Sequence, residues 1–229
     1  MKKNKIMLSV ISGLLVAAVA VGGTLAYLSD KSNQVENTFT IGAGYTDDAL
    51  TLDETKVTPG AALPTEPGAE RIGENQTYPD LLPGSEFAKD PTFHLKADST
   101  DSYIIAKVTN AQEAKNVGYI FKDAAKTTGF DANWKKVANA NGAILSETVA
   151  DDGSLNGYYL FVDDVQAGKI VKGGENTEAI FTYVQLDSNI ANEALAAANN
   201  QKTTVIGVAV QATNNTAANA VSEAVNLLK

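Results

Sequence analysis

Residues 92–108 read TFHLKADSTDSYIIAKV, and this stretch contains the pattern that decides the fold. Its first part alternates apolar with polar side chains, which is the two-residue period of a strand with one buried face. Its second part, from Tyr103 to Val108, is an apolar run rich in residues that favour strands. The polar segment 98–101 between them has the length of a hairpin loop, so the sequence predicts two antiparallel strands joined by a hairpin.

Further strand-like runs follow along the chain, each bounded by turn residues such as Asp-Asp-Gly and Lys-Gly-Gly. No strand alternates regularly with a helix, so a doubly wound nucleotide-binding fold is disfavoured. The sequence therefore predicts a mainly β protein, an antiparallel, jelly-roll-like β-sandwich with a few short helices. The additional predicted strands are 158–162, 180–186 and 205–212.

Two helical segments interrupt the strands. Ser188 and Asn189 can cap an alanine-rich helix that runs from Ile190 to Ala198. Thr216 can cap a C-terminal helix, at about 216–228, whose apolar residues fall on one face.

Residues 58–80 contain four of the six prolines, which cannot donate hydrogen bonds within a sheet. We expect this segment to be an exposed loop that connects an N-terminal strand to the rest of the sandwich. No composition break divides the strand pattern, so residues 27–229 are predicted to form a single domain.

The composition excludes several classes of function. The 229 residues carry a net charge of −9 and no cysteine, which excludes disulfides, thiolate catalysis and cysteine-bound zinc. His94 is the only histidine, so a two-histidine metal site cannot form. The excess of acidic residues, without a cluster of basic ones, argues against binding to nucleic acid.

The first 26 residues have the features of a secretory signal peptide. Three lysines precede an apolar stretch, Ile6 to Val21, and small residues follow it. We expect a signal helix that is cleaved between Ala26 and Tyr27, so that the protein meets the membrane only as a precursor. The apolar stretch is short for a permanent membrane anchor, which is the alternative.

The segment after the apolar stretch resembles that of proteins processed by the SipW-type signal peptidase, the family of the TasA and camelysin biofilm proteins of Gram-positive bacteria. The resemblance rests on a G-G-T-x-A-[YF]-x-x-D core followed by N-x-F-x-x-G, and weaker matches lie downstream. The matching segments are 22–30, 37–42, 82–85, 89–92, 101–108 and 208–212.

This resemblance implies a secreted, extracellular structural protein, exported by the Sec route, that forms biofilm matrix fibres with further copies or related matrix subunits. In such fibres the N-terminal segment of one subunit completes the sheet of the next by adding a strand to its edge. Here the candidate donor is the stretch from Tyr27 to Leu52, and Phe39, Ile41, Leu50 and Leu52 are its apolar residues at strand spacing. The same stretch can instead pair within its own domain, because both arrangements satisfy the same backbone groups. The alternative function is then a secreted monomeric binding module or a hydrolase.

No catalytic constellation is apparent, and an enzyme is not expected. Some camelysin relatives are classed as metallopeptidases, but a catalytic zinc needs about three protein ligands, which one histidine and scattered carboxylates do not supply. His94 is expected on the polar face of its strand, as a surface residue.

No cofactor is predicted, although three acidic pairs could bind calcium; they also fit ordinary turns. The pairs are Asp47-Asp48, Asp151-Asp152 and Asp163-Asp164.

Overall fold

The computed structural model describes the backbone of residues 29–31 and all of residues 48–229. The fold is mainly β, with antiparallel sheets and three short helices among these residues. The strands are β1 (Ser29–Lys31), β2 (Leu50–Thr55), β3 (Arg71–Ile72), β4 (Glu86–Ala88), β5 (Thr92–Leu95), β6 (Ser102–Thr109), β7 (Tyr119–Lys122), β8 (Trp134–Asn139), β9 (Gly157–Phe161), β10 (Ile170–Val171), β11 (Tyr183–Leu186) and β12 (Thr204–Gln211). The helices are α1 (Ala111–Asn116), α2 (Asn192–Ala198) and α3 (Ala217–Leu227).

The largest sheet has six strands and is built around β6. Its main path is β1-β12-β6-β9-β8, and β10 also pairs with β6. Two smaller sheets have three strands each, in the orders β4-β11-β7 and β3-β2-β5. All of these pairings are antiparallel.

At the centre of the large sheet, β6 is buried on both faces and is apolar on both sides. Ile104 and Ala106 face a core shared with both small sheets, where they meet residues such as Phe93 and Phe121. Tyr103 and Ile105 face the opposite side, which α3 covers. Burial on both faces explains why this segment is a nearly continuous apolar run rather than an alternating one.

The predicted C-terminal helix is confirmed. Thr216 is its N-cap, and the Thr216 side chain accepts a hydrogen bond from the backbone N–H of Asn219. Ala220, Val221, Ala224 and Val225 are buried against the large sheet.

The predicted hairpin between β5 and β6 is wrong. β5 pairs with β2, whereas β6 pairs with β12, β9 and β10, so residues 98–101 carry the chain from one sheet to another. The reason is that both faces of β6 must be covered by other elements. The side chains of β5 cover one of these faces from across the core, so β5 does not lie beside β6 in the same sheet.

Three further features differ from the prediction. The alanine-rich helix begins only at Asn192, with Ala191 at its N-cap and no side chain bonded there. Asp187 forms a turn instead, because its carboxylate accepts the backbone N–H of Asn189 at 2.8 Å. The Pro-rich stretch 58–80 is largely irregular, as predicted, but it contains β3, and the short helix α1 was not predicted.

Candidate functional site

The outer edge of β12 is bordered by the segment that follows the predicted cleavage site. Ser29 lies opposite Val210, and Lys31 lies opposite Val208, in an antiparallel register. On its other side β12 pairs with β6 along its whole length, from Thr204 to Gln211. β1 is therefore a short strand on the edge of the large sheet, and residues 32–49 separate it from β2 in sequence.

A groove of about 790 Å³ opens where β12 begins. Its floor is the inner face of the β4-β11-β7 sheet, and the side chains there are apolar or aromatic. This volume falls within the range of about 300–1,000 Å³ that is typical of ligand pockets in proteins. The floor residues are Phe87, Tyr119, Phe121, Val184 and Leu186.

One wall of the groove is the loop 76–83, which a buried polar network holds in place. The Tyr78 hydroxyl donates to Glu54 at 3.2 Å, and the Lys89 ammonium lies 2.6 Å from the other oxygen of Glu54. Gln76 donates to the same carboxylate at 3.1 Å. Burial and the negative charge of Glu54 raise the pKa of Tyr78 far above its usual value, so its hydroxyl keeps its proton.

The other wall is formed by α2 and the residues after it, up to Thr203. The Tyr119 hydroxyl donates to the carbonyl of Ala198 at 3.0 Å. Burial raises the pKa of Tyr119, so this hydroxyl is also a donor at neutral pH. The groove thus joins segments that are far apart in sequence, next to the N-terminal end of β12.

The structure describes only two of the four apolar residues predicted for the donor segment. Leu50 and Leu52 lie in β2, opposite Leu95 and Phe93 of β5 in the same chain, and Leu50 is fully buried. This is the internal pairing that the sequence left open. Ala26, Tyr27, Phe39 and Ile41 lie outside the residues that the structure describes.

His94 belongs to a half-buried ionic cluster around the only arginine of the chain. Its Nε2 atom lies 2.8 Å from the carboxylate of Asp53, which also accepts from Arg71 at 2.6 Å. Arg71 binds Asp90 as well, through a 2.5 Å contact, and the side chain of Asp90 is only 5% exposed. The cluster ties the Pro-rich stretch to β2 and β5, so His94 is less exposed than the sequence suggested.

In two of the acidic pairs, aspartate side chains accept hydrogen bonds from the backbone a few residues further on. The Lys136 ammonium lies 2.6 Å from an oxygen of Asp151 and 2.6 Å from one of Asp152, so an ammonium group occupies the space between these two carboxylates. Asp163 accepts the backbone N–H groups of Val165 and Ala167, as a turn-forming residue does. Asp48 is exposed, and its partner Asp47 lies outside the described residues. Over residues 29–31 and 48–229, no group of three or more acidic or histidine side chains is arranged to hold a metal ion.

Comparison of the chain with protein-family models, with curated proteins and with solved structures found no match. Among the helices that the structure describes, none is both long enough and apolar enough to cross a bilayer.

The groove was not predicted from the sequence. Its floor comes from β4, β7 and β11, and its walls from loops, so no local pattern marks it. One signal was present: Leu81 and Leu82 form an apolar pair directly after the Pro-rich stretch 58–80. Leu81 packs against the core at the groove, and Leu82 is 70% exposed at its rim.

Proposed function

We propose that this chain is a secreted structural protein, a subunit of an extracellular biofilm fibre that assembles by strand complementation after removal of its signal helix. Its sheets would form a jelly-roll-like sandwich whose acceptor site is the outer edge of β12 together with the groove. The observation that carries the proposal is the pairing of Ser29–Lys31 with β12. A segment that begins three residues after the predicted cleavage site fills an edge position in the large sheet.

The chain length between β1 and β2 allows the donor to come from a neighbouring subunit. Residues 32–49, which join the two strands, can span at most about 60 Å when extended. Strand addition uses only backbone hydrogen bonds at the edge, so a second copy can supply the same three residues as the chain itself. The partner in this proposal is therefore another copy or a related matrix subunit, and a SipW-type signal peptidase acts before assembly.

The direction of β1 links the edge to the groove. Because Lys31 lies opposite Val208, the antiparallel register, if continued in the donor, would bring Val35 opposite Thr204, where the groove begins. Phe39 is four residues further on, about 13 Å in an extended chain. The donor's Phe39 and Ile41 would then enter the groove, whose floor is apolar and aromatic.

Three other sheet edges among the described strands are less suitable acceptors, those of β8, β3 and β7. β8 carries Lys135 and Lys136, and lysines on an edge strand oppose pairing with another chain. β3 has only two residues, and β7 is bridged at Lys122 to Thr128. The edge of β12 therefore supports a specific head-to-tail arrangement.

The first test is negative-stain microscopy and sedimentation of protein 27–229 beside a truncation that starts at Gly44. We expect filaments from the longer protein and none from the truncation. Monomers in both samples, with 37–52 resistant to protease, would contradict the proposal. They would favour the alternative of a monomeric secreted module that uses the groove for a ligand.

A second test uses the absence of cysteine from the chain. Ser29→Cys and Val210→Cys place single thiols at positions that face each other in the register. If strands are exchanged, a mixture of the two single variants gives covalent dimers on oxidation of the assembled sample. A disulfide that forms only within the double variant, and never between chains, would show that β1 stays in its own subunit.

A further inference from the structure

The segment 188–203 forms one wall of the groove, but it is weakly attached to the rest of the fold. Ala198 is its only fully buried residue. In the part of the chain that the structure describes, its one hydrogen bond to another element joins the Tyr119 hydroxyl to the Ala198 carbonyl. Few buried apolar contacts and exposed backbone are the features of segments that open locally.

The helix within this segment adds little stability of its own. α2 has seven residues and no side chain that caps its N-terminus. Isolated helices shorter than about 12 residues are marginal in water, so α2 holds its position through the contacts that it makes. In α2 the hydrogen bond is the one from Tyr119 to Ala198. Before the helix, Ile190 packs over Gly118, where a β-carbon would lie 2.9 Å from the Ile190 side chain, and Ser188 lies beside Gly84.

Both ends of the segment are fixed. The backbone N–H of Asp187 donates to the Gly118 carbonyl at 2.8 Å, just before the segment begins. Thr204 pairs with Thr109 of β6, just after it ends. Asn200 has a φ of 59°, so the chain turns sharply between the helix and β12. The segment is therefore a loop with two anchored ends and a loosely held middle.

We infer that residues 188–203 are a flap that swings away from the groove to admit an apolar segment, and that the Tyr119 hydroxyl is its latch. The nature of the entering segment, which includes Phe39 and Ile41 of a second copy, rests on the proposed function. The opening itself is a property of this chain alone. A closed flap protects the apolar floor from water, and an open one widens the entrance for an aromatic side chain.

The experiment is amide hydrogen exchange of protein 27–229, measured by mass spectrometry for the unmodified protein and for Tyr119→Phe. Loss of one neutral hydrogen bond from the closed state should speed exchange in residues 192–203 by about fivefold. Exchange in β6 and β12 should not change. The matched control is Tyr183→Phe, which removes a hydroxyl that donates to Glu66 elsewhere on the surface.

Ile190→Ala provides a second variant, which loosens the flap at its other contact and should also speed exchange there. Exchange in 192–203 that is as slow as in β6, and unchanged in both variants, would overturn the inference. Filament formation by the same samples distinguishes a failure of the flap inference from a failure of the proposed function. Faster exchange with no filaments in any sample would refute the fibre function and support the flap. Filaments with flap exchange unaffected would refute the flap alone.

Discussion

The aromatic ring of Phe93, in β5, lies directly against the backbone of Gly207, in β12. A β-carbon at position 207 would overlap with Cε1 and Cζ of Phe93. Phe93 is fully buried and also contacts the ring of Trp134, with a centroid separation of 5.7 Å. This contact places the β3-β2-β5 sheet directly against β12 of the large sheet at that point.

Gly207→Ala should destabilise the protein by about 1–3 kcal/mol, because the new methyl group has no space and β12 is held by its neighbour β6. Thermal or urea unfolding of protein 27–229 measures the change. The double variant with Phe93→Leu should recover part of the loss, since the smaller side chain leaves room. A Gly207→Ala protein as stable as the original would show that the two sheets can separate freely here.

Arg71→Met should lower the free energy of unfolding by about 3 kcal/mol, because it leaves the buried Asp90 carboxylate without its ionic partner. Arg71→Lys should cost less, since one ammonium can replace only part of the guanidinium contacts. The control is Lys56→Met, whose pair with Glu70 is exposed and should matter by no more than about 0.5 kcal/mol. Equal effects at positions 71 and 56 would contradict this assignment.

Acid should weaken the contacts of β4 with β7. The Lys122 ammonium, aided by Lys126, holds the pKa of the Glu86 carboxyl below its usual 4.5. A carboxyl with a lowered pKa in the folded state stabilises the fold above its unfolded pKa, and this contribution is lost as the pH falls below about 4.5. The melting temperature of the original protein should therefore fall more steeply in that range than that of Glu86→Gln. Parallel pH curves for the two proteins would refute the prediction.

Removal of divalent cations should leave the melting temperature unchanged. Lys136 already supplies a positive charge between Asp151 and Asp152, and it holds the pKa of Asp152 below its usual range. Unfolding with and without EDTA is the measurement, and a fall of several degrees on chelation would point to a structural metal instead. Lys136→Met should lower the melting temperature by a few degrees, because the two carboxylates then repel each other.

Local patterns in the sequence predicted individual elements well. The alternation at Phe93 and Leu95, the apolar run of β6 and the capping Thr216 each report on a few neighbouring residues, and the structure confirms all three. Which strands pair with each other was harder to predict from the sequence. The predicted hairpin failed because 98–101 has the length of a hairpin loop whether the next strand pairs beside β5 or packs across the core.

The candidate site could be predicted only in part. The strand at 205–212 was predicted from its local pattern and the donor stretch, Tyr27 to Leu52, from the resemblance of the leader region, but neither specifies which edge accepts the donor. The groove depends on contacts between residues such as Tyr78, Tyr119 and Leu195, which are more than 40 positions apart from one to the next. Such contacts leave no periodic signal, because each side chain is placed by a different element.

Under the proposed function, release of the N-terminus after Ala26 is a condition for assembly, because β1 begins only three residues after Ala26. An uncleaved leader would hold β1 next to the membrane, where it could not reach the β12 edge of a neighbouring subunit. Ala26→Trp should block processing, since the peptidase needs a small residue at the cleavage site, and should leave a membrane-held precursor without fibres. Fractionation of the producing cells and N-terminal sequencing measure this. A normal N-terminus at Tyr27 in the variant would show that cleavage does not depend on residue 26, and fibres built from uncleaved precursor would separate assembly from processing.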